Sequence, residues 1–141
     1  SFLTVNTSQL NQGIVGGLLL ANNASLRQWV EPVVAFYMAN RAALLKALTR
    51  ELGDVEGVAW NTPEGGFFLS LNLPFPMLAD DVTLCAKEFG VVVMPMNFFA
   101  SDASHDNVVR LAFSAATPSL LDEAVTRFAG YVRSRAYVHC A

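Results

Sequence analysis

The stretch DNVVRLAFSAATPSLLDEAV, residues 106–125, joins a buried-looking strand to a helix, and its reading decides the fold. From Asn107 to Ser114 apolar and β-branched residues dominate, which predicts a strand. Alternation puts Val109, Leu111 and Phe113 on one face and Arg110, Ala112 and Ser114 on the other. Thr117 has the form of a helix N-cap and Pro118 suits the first helical position. The following helix is expected to run to about Arg135, with Leu121, Ala124, Val125, Phe128 and Val132 inward. Arg110 is the discordant residue. An unpaired guanidinium inside an apolar strand is costly, so it either turns to solvent, pairs with a structural carboxylate, or meets a ligand.

Upstream, the period changes to two from Gly65. Phe67, Leu69, Leu71 and Leu73 share one face while Phe68, Ser70 and Asn72 share the other, a strand with one buried side. Pro74 and Pro76 close it. A helix from about Ala79 to Phe89 ends at Gly90, and GVVVMPM, residues 90–96, has the continuous β-branched character of a strand in the middle of a sheet. Residues 97–106 form a polar loop.

Two helices precede these elements. Leu10 to Ala21 is short and apolar, and Gly13, Gly16 and Gly17 weaken it and suggest close backbone packing. Ser25 and Gln28 have the spacing of a capping box. The long helix that follows carries Leu26, Trp29, Val33, Tyr37, Leu44, Leu45 and Leu48 on roughly one stripe and stops at Gly53. Pro32 lies beyond its first turn and should bend it. The expected fold is α+β: a small mixed sheet of three to four strands, covered mainly on one face by helices and preceded by a short and a long helix.

Composition narrows the function classes. The 141 residues fit a single domain. Charged residues are only 15% of the chain and apolar residues 53%, against about 25% and about 45–50% in ordinary domains. An apolar face is therefore expected to be covered by another domain or subunit. Net charge is −3 and the basic residues form no stripe, which gives nucleic acid no electrostatic footprint. No apolar run approaches the ~20 residues of a membrane span. The start at Ser1, without methionine or signal features, is read as a cut within a longer polypeptide.

Cys85 and Cys140 read as ordinary thiols of a reducing compartment, which points to the cytoplasm. In that setting the sequons at Asn6 and Asn23 read as chance matches. His105 and His139 lack neighbours with the spacing of a zinc site and are assigned to the surface. Asp122 and Glu123 near a helix start favourably oppose its dipole.

The segments TPEGGFFLSLNLP (62–74), FGVVVMPMNFF (89–99) and NVVRLAFSAATPSLLDEAVTRF (107–128) resemble, in order and spacing, the C-terminal small domain of class I/II aminotransferases, the fold-type I pyridoxal-phosphate enzymes. The resemblance covers essentially the whole chain. It implies that Arg110 binds the α-carboxylate of an amino-acid substrate, since a planar guanidinium grips a carboxylate through two parallel hydrogen bonds. Gly66 would lie near the active-site mouth and Asn97 in a loop that shapes the substrate side. PMNFF departs from the commoner PGxxF form, with Met96 where glycine is usual. This departure, together with SFLTVNTS and VGGLLL near the start, resembles transaminases of specialised pathways that handle nonproteinogenic amino acids, such as dihydroxyphenylglycine.

The resemblance also implies pyridoxal 5'-phosphate as cofactor, amino-acid and 2-oxo-acid substrates, and a homodimer. The cofactor's lysine, pyridine-facing aspartate and phosphate-binding residues are expected in a large domain upstream of Ser1, because neither Lys46 nor Lys87 sits in a matching motif. This chain alone is expected to be inactive, with no catalytic residue of its own. Other fold-type I reactions (lyase, decarboxylase, oxidase) remain open, as does a stand-alone α+β binding module.

Overall fold

A helix stop at Gly53, paired prolines after Leu73 and a left-handed glycine at position 90 divide the chain. In the computed structural model, which describes residues 8–139, the elements are α1 (Gln9–Ala21), α2 (Arg27–Leu52), β1 (Ala59–Trp60), β2 (Phe68–Asn72), α3 (Ala79–Leu84), β3 (Met94–Pro95), β4 (Val108–Ala112) and α4 (Pro118–His139). A π-helical turn, Cys85–Phe89, continues α3 to Gly90, which stops it at φ 69°. The extended start, the Asn6 sequon and Cys140 lie outside the described residues.

The chain divides into two units, Ser1–Phe36 and Tyr37–Ala141. In the first, Ser8 caps α1 by accepting from the Asn11 amide at 3.4 Å. Helix α1 buries no residue, and Leu10 and Leu20 are 73% and 86% exposed. A Cβ built at Gly13, Gly16 or Gly17 meets nothing within 4 Å, so the close packing expected there is absent among the described residues. The capping box expected at Ser25 does not close. Ser25 Oγ accepts from the Arg27 amide, while the Gln28 amide donates to the Asn22 side chain. The apolar stripe of α2 is likewise open in this unit, with Trp29, Val33 and Val34 exposed.

In the second unit the sheet order is β1-β2-β4-β3. All three pairings are antiparallel, so the sheet, expected to be mixed, contains no parallel pair. Strands β2 and β3 do run the same way, as a crossover through α3 requires, but β4 inserts between them and takes both sets of hydrogen bonds. Strand β3 is consequently at the edge and not in the middle. Pro95 suits that place, since a residue without an N–H cannot serve a central strand. Strand β1, only two residues long, carries no period from which it could be read.

One face of the sheet is covered. Leu69, Leu71, Val109 and Phe113 pack with Leu44, Leu48 and Leu52 of α2 and Val125, Phe128 and Val132 of α4 in one buried cluster. Thr117 accepts from the Leu120 amide at 3.4 Å, the cap that opens α4. Asn40 fixes α2 to the end of β4. It is fully buried, and its amide donates to the carbonyls of Phe113 and Ala116 at 2.8 and 2.7 Å. Replacing Asn40 by leucine removes the donor from the buried Phe113 carbonyl and the part-buried Ala116 carbonyl, and is expected to cost about 1–3 kcal/mol, read as a lowered urea midpoint.

Opposite the sheet, Asp81 takes three donors: the Leu78 amide at 3.1 Å, the Tyr131 hydroxyl at 3.2 Å and Arg135 at 2.8 Å. Burial, followed by the charge of Asp81, pushes the Tyr131 phenol well above its ordinary value. Burial also pushes the Cys85 thiol up to about 11. Both groups are held neutral in the fold and ionise more readily in the unfolded chain, at about 8.5 for the thiol and about 10 for the phenol. Their stabilisation is complete below those values and is lost as pH rises through them. The urea midpoint should therefore fall above about pH 9, and Tyr131→Phe should flatten the decline above about pH 10.

Candidate functional site

Arg110 stands at the centre of β4, an inner strand flanked by β2 and β3. Ser70 of β2 and Met94 of β3 are its register partners. The predicted alternation holds: Val109 and Phe113 are buried and Leu111 half-buried on the helix side, while Arg110 and Ala112 occupy the uncovered face. The small side chains of Ser70 and Ala112 leave the guanidinium room.

The surroundings of Arg110 differ from those of every other arginine. Arg27, Arg50, Arg127, Arg133 and Arg135 each pair with a carboxylate. Arg41 donates to the Pro63 carbonyl at 2.7 Å. Among the described residues no carboxylate lies within ion-pair reach of Arg110. Its guanidinium carbon sits over two rings instead, 4.0 Å from the centroid of Phe68 and 5.4 Å from that of Phe99. Aromatic faces attract the cation yet offer no acceptor atom, so the N–H donors have no acceptor among the described residues.

A cavity of about 440 Å³ opens beside this arginine and runs between β4, residues 91–94 and α4. Arg110 is the only charged residue in its lining. The rest is apolar, with Leu111, Val93, Leu121, Val125 and Phe128 among it. No second titratable group faces Arg110 there. The arrangement can bind and orient an anion but has no general acid or base to offer.

Neither Gly66 nor Asn97 lines the cavity. Gly66 takes φ 85°, a left-handed conformation that suits glycine, two residues before Phe68; a Cβ built on it would meet nothing within 4 Å. Asn97 turns its amide to the Met77 carbonyl at 3.4 Å and to Asp106 at 3.2 Å, tying the turn after β3 to the segment before β4. Sequence reading missed Phe68 and Phe99. Alternation placed Phe68 on the Ser70 face, but only the β2–β4 register sets that face beside Arg110.

His105 is exposed and contacts Ser104 Oγ at 2.6 Å. The hydrogen bonds of Ser104 hold Asp102 below the usual carboxylate range. Asp122 is likewise held low, by Arg50 at 2.8 Å. No cluster of three or more metal-ligating side chains occurs among the described residues.

The donor set of this chain does not by itself fit pyridoxal phosphate. A lysine that could join the cofactor's aldehyde is lacking at the site: Lys46 is exposed on α2, Lys87 is exposed on the π-helical turn, and neither lines the cavity. The lining also presents no cluster of hydroxyls or cations around Arg110 to cradle a phosphate. What the chain presents is one cation with free donors.

No family model matches the chain. It is 38% identical over 133 residues to the (S)-3,5-dihydroxyphenylglycine transaminase of Amycolatopsis orientalis, covering 94% of this chain and 30% of that protein. It is 30% identical over 108 residues to aromatic-amino-acid aminotransferase 1 of Thermococcus litoralis, covering 77% and 25% respectively. Among solved structures, the α-aminoadipate aminotransferase of Thermus thermophilus, complexed with N-(5'-phosphopyridoxyl)-L-leucine, superposes with a TM-score of 0.76 at 26% identity, covering 94% of this chain and 33% of that one. The chain spans 25–30% of the length of the curated relatives it matches. Related in sequence and in fold over nearly its whole length, the chain is a homologue of the fold-type I aminotransferases, matched over about a third of their length.

Proposed function

We propose that this chain is the C-terminal small domain of a pyridoxal-phosphate-dependent aminotransferase and that Arg110 binds the α-carboxylate of its substrate. The observation that carries this reading is an arginine with no counter-charge among the described residues, on the open face of an inner strand of a domain whose homologues are aminotransferases. In the full-length protein the remaining polypeptide would supply the cofactor's lysine and phosphate site. Bound there, the cofactor would supply the chemistry of amino-group transfer between an amino acid and a 2-oxo acid. Arg110 holds the carboxylate so that the reacting carbon is presented in one pose, which can remove much of the entropic part of the barrier. Gly66 is assigned to the mouth of the site. Asn97 is assigned to holding the loop that shapes its substrate side.

The exposed apolar surface of α1 and early α2 supports a homodimer or a covering domain in the full-length protein. The free, buried Cys85 agrees with a reducing, cytoplasmic setting. No described helix is long and apolar enough to cross a membrane.

A narrower substrate reading follows from the 38% identity to a dihydroxyphenylglycine transaminase and from the two aromatic rings against Arg110: an amino acid with an aryl side chain. The test is turnover of (S)-3,5-dihydroxyphenylglycine with 2-oxoglutarate by the full-length protein loaded with pyridoxal phosphate. Formation of glutamate supports transamination. Release of carbon dioxide or loss of the side chain without glutamate would move the protein to another reaction of the same fold type, and transfer from dicarboxylic amino acids alone would overturn the aryl reading.

A further inference from the structure

We propose that Phe68 is a positioning residue for Arg110, holding the guanidinium by its ring face so that the N–H donors stay free for a carboxylate. The inference rests on the carboxylate reading of Arg110. Phe68 pairs with Ala112 and Ser70 with Arg110, so Phe68 is the diagonal neighbour of Arg110 on the same face of the sheet. Aromatic side chains reach across such diagonals, and the small methyl of Ala112 lets the ring lean toward the arginine. The result is the 4.0 Å contact, with Phe99 at 5.4 Å as a second ring.

Core packing does not account for a phenylalanine at this position. Leu69 and Leu71 on the opposite face are 1% and 0% exposed, whereas Phe68 is 42% exposed and lies outside the buried cluster. Its ring is itself braced, since Phe67 meets it edge-on at 6.4 Å and Tyr37 meets Phe67 edge-on at 5.3 Å. This braced ring constrains a side chain that is otherwise rich in rotamers. A carboxylate at position 68 would also hold the cation, but it would occupy the donors and compete with the ligand. An aromatic face attracts the charge and leaves the edge of the guanidinium unoccupied.

The test uses the full-length protein loaded with pyridoxal phosphate and two probes: phenylacetate, which has the carboxylate, and benzylamine, which lacks it. Phe68→Leu keeps an apolar side chain but removes the ring face; Phe68→Tyr keeps the face. Phe68→Leu should weaken phenylacetate binding by roughly two- to thirtyfold, the range of a lost cation–ring contact, and leave benzylamine binding unchanged. Phe68→Tyr should restore phenylacetate affinity to within about twofold of the native protein. Equal loss for both probes, or no rescue by tyrosine, would show a merely structural role and overturn the inference. Native phenylacetate affinity in Phe68→Leu, where Arg110→Leu has lost it, overturns the inference alone. If Arg110→Leu also binds phenylacetate normally, or the native protein does not bind it, the carboxylate reading falls and the inference with it.

Discussion

Arg110→Leu in the full-length protein is expected to lower kcat/KM for the amino-acid substrate by roughly 30- to 5,000-fold and to raise KM. Removing one partner of a charge-assisted, partly desolvated pair costs about 2–5 kcal/mol, and each 1.36 kcal/mol is a factor of ten. Arg110→Lys keeps the charge but loses the planar fork, so it should recover only part of the loss. The effect should fall on function and spare the fold. Arg110 is half-buried and its contacts are two partly exposed rings, so the urea midpoint should change by no more than the equivalent of about 1 kcal/mol. Steady-state kinetics of the variant beside its denaturation curve would separate the two. Unchanged kinetics would remove Arg110 from substrate binding, and a collapsed midpoint would make it a structural residue.

Phe128→Ala is expected to produce the largest loss of stability, about 3–5 kcal/mol. Phe128 is 1% exposed and stacks on Tyr131 with ring centroids 6.1 Å apart. Tyr131 is in turn edge-on to Phe75 and Phe89 at 6.1 and 5.6 Å. Truncation leaves a void that these braced rings cannot collapse to fill. Phe128 also lines the cavity between β4 and α4, which the same change enlarges. Phe128→Leu, which preserves most of the volume, should cost clearly less. A urea midpoint for Phe128→Ala close to that of the native protein would mean that the α4–sheet core is looser than its burial implies.

Much of the fold was legible because its signals are local. The period-two run after Gly65, the stop at Gly90 and the Thr117–Pro118 cap each act within a few residues and stand where they were expected, except that Phe67, expected on the buried face, precedes the strand Phe68–Asn72 and is 49% exposed. Helix α4 runs on past Arg135 to His139 because no glycine or proline interrupts that stretch. Signals that depend on a partner were misread. GVVVMPM looks central by composition, yet its single neighbour is β4. The glycines of α1 suggested packing that no described residue supplies. The Ser25–Gln28 spacing lost to Asn22, whose side chain lies within reach of Gln28.

The site divides along the same line. By itself the sequence determined that position 110 is a cation inside an apolar strand, that Ala112 and Ser114 share its face, and that no catalytic lysine motif accompanies it, because alternation and residue chemistry are properties of a short segment. Only the tertiary structure decided what the cation faces. Placing β4 between β2 and β3 brought Ser70, Phe68 and Phe99 around Arg110 and brought no carboxylate within reach among the described residues. The reason is physical: strand register and strand order are set by the burial of the opposite face, where Leu69, Leu71 and Val109 must meet α2 and α4, and a one-residue slip would turn every side chain over.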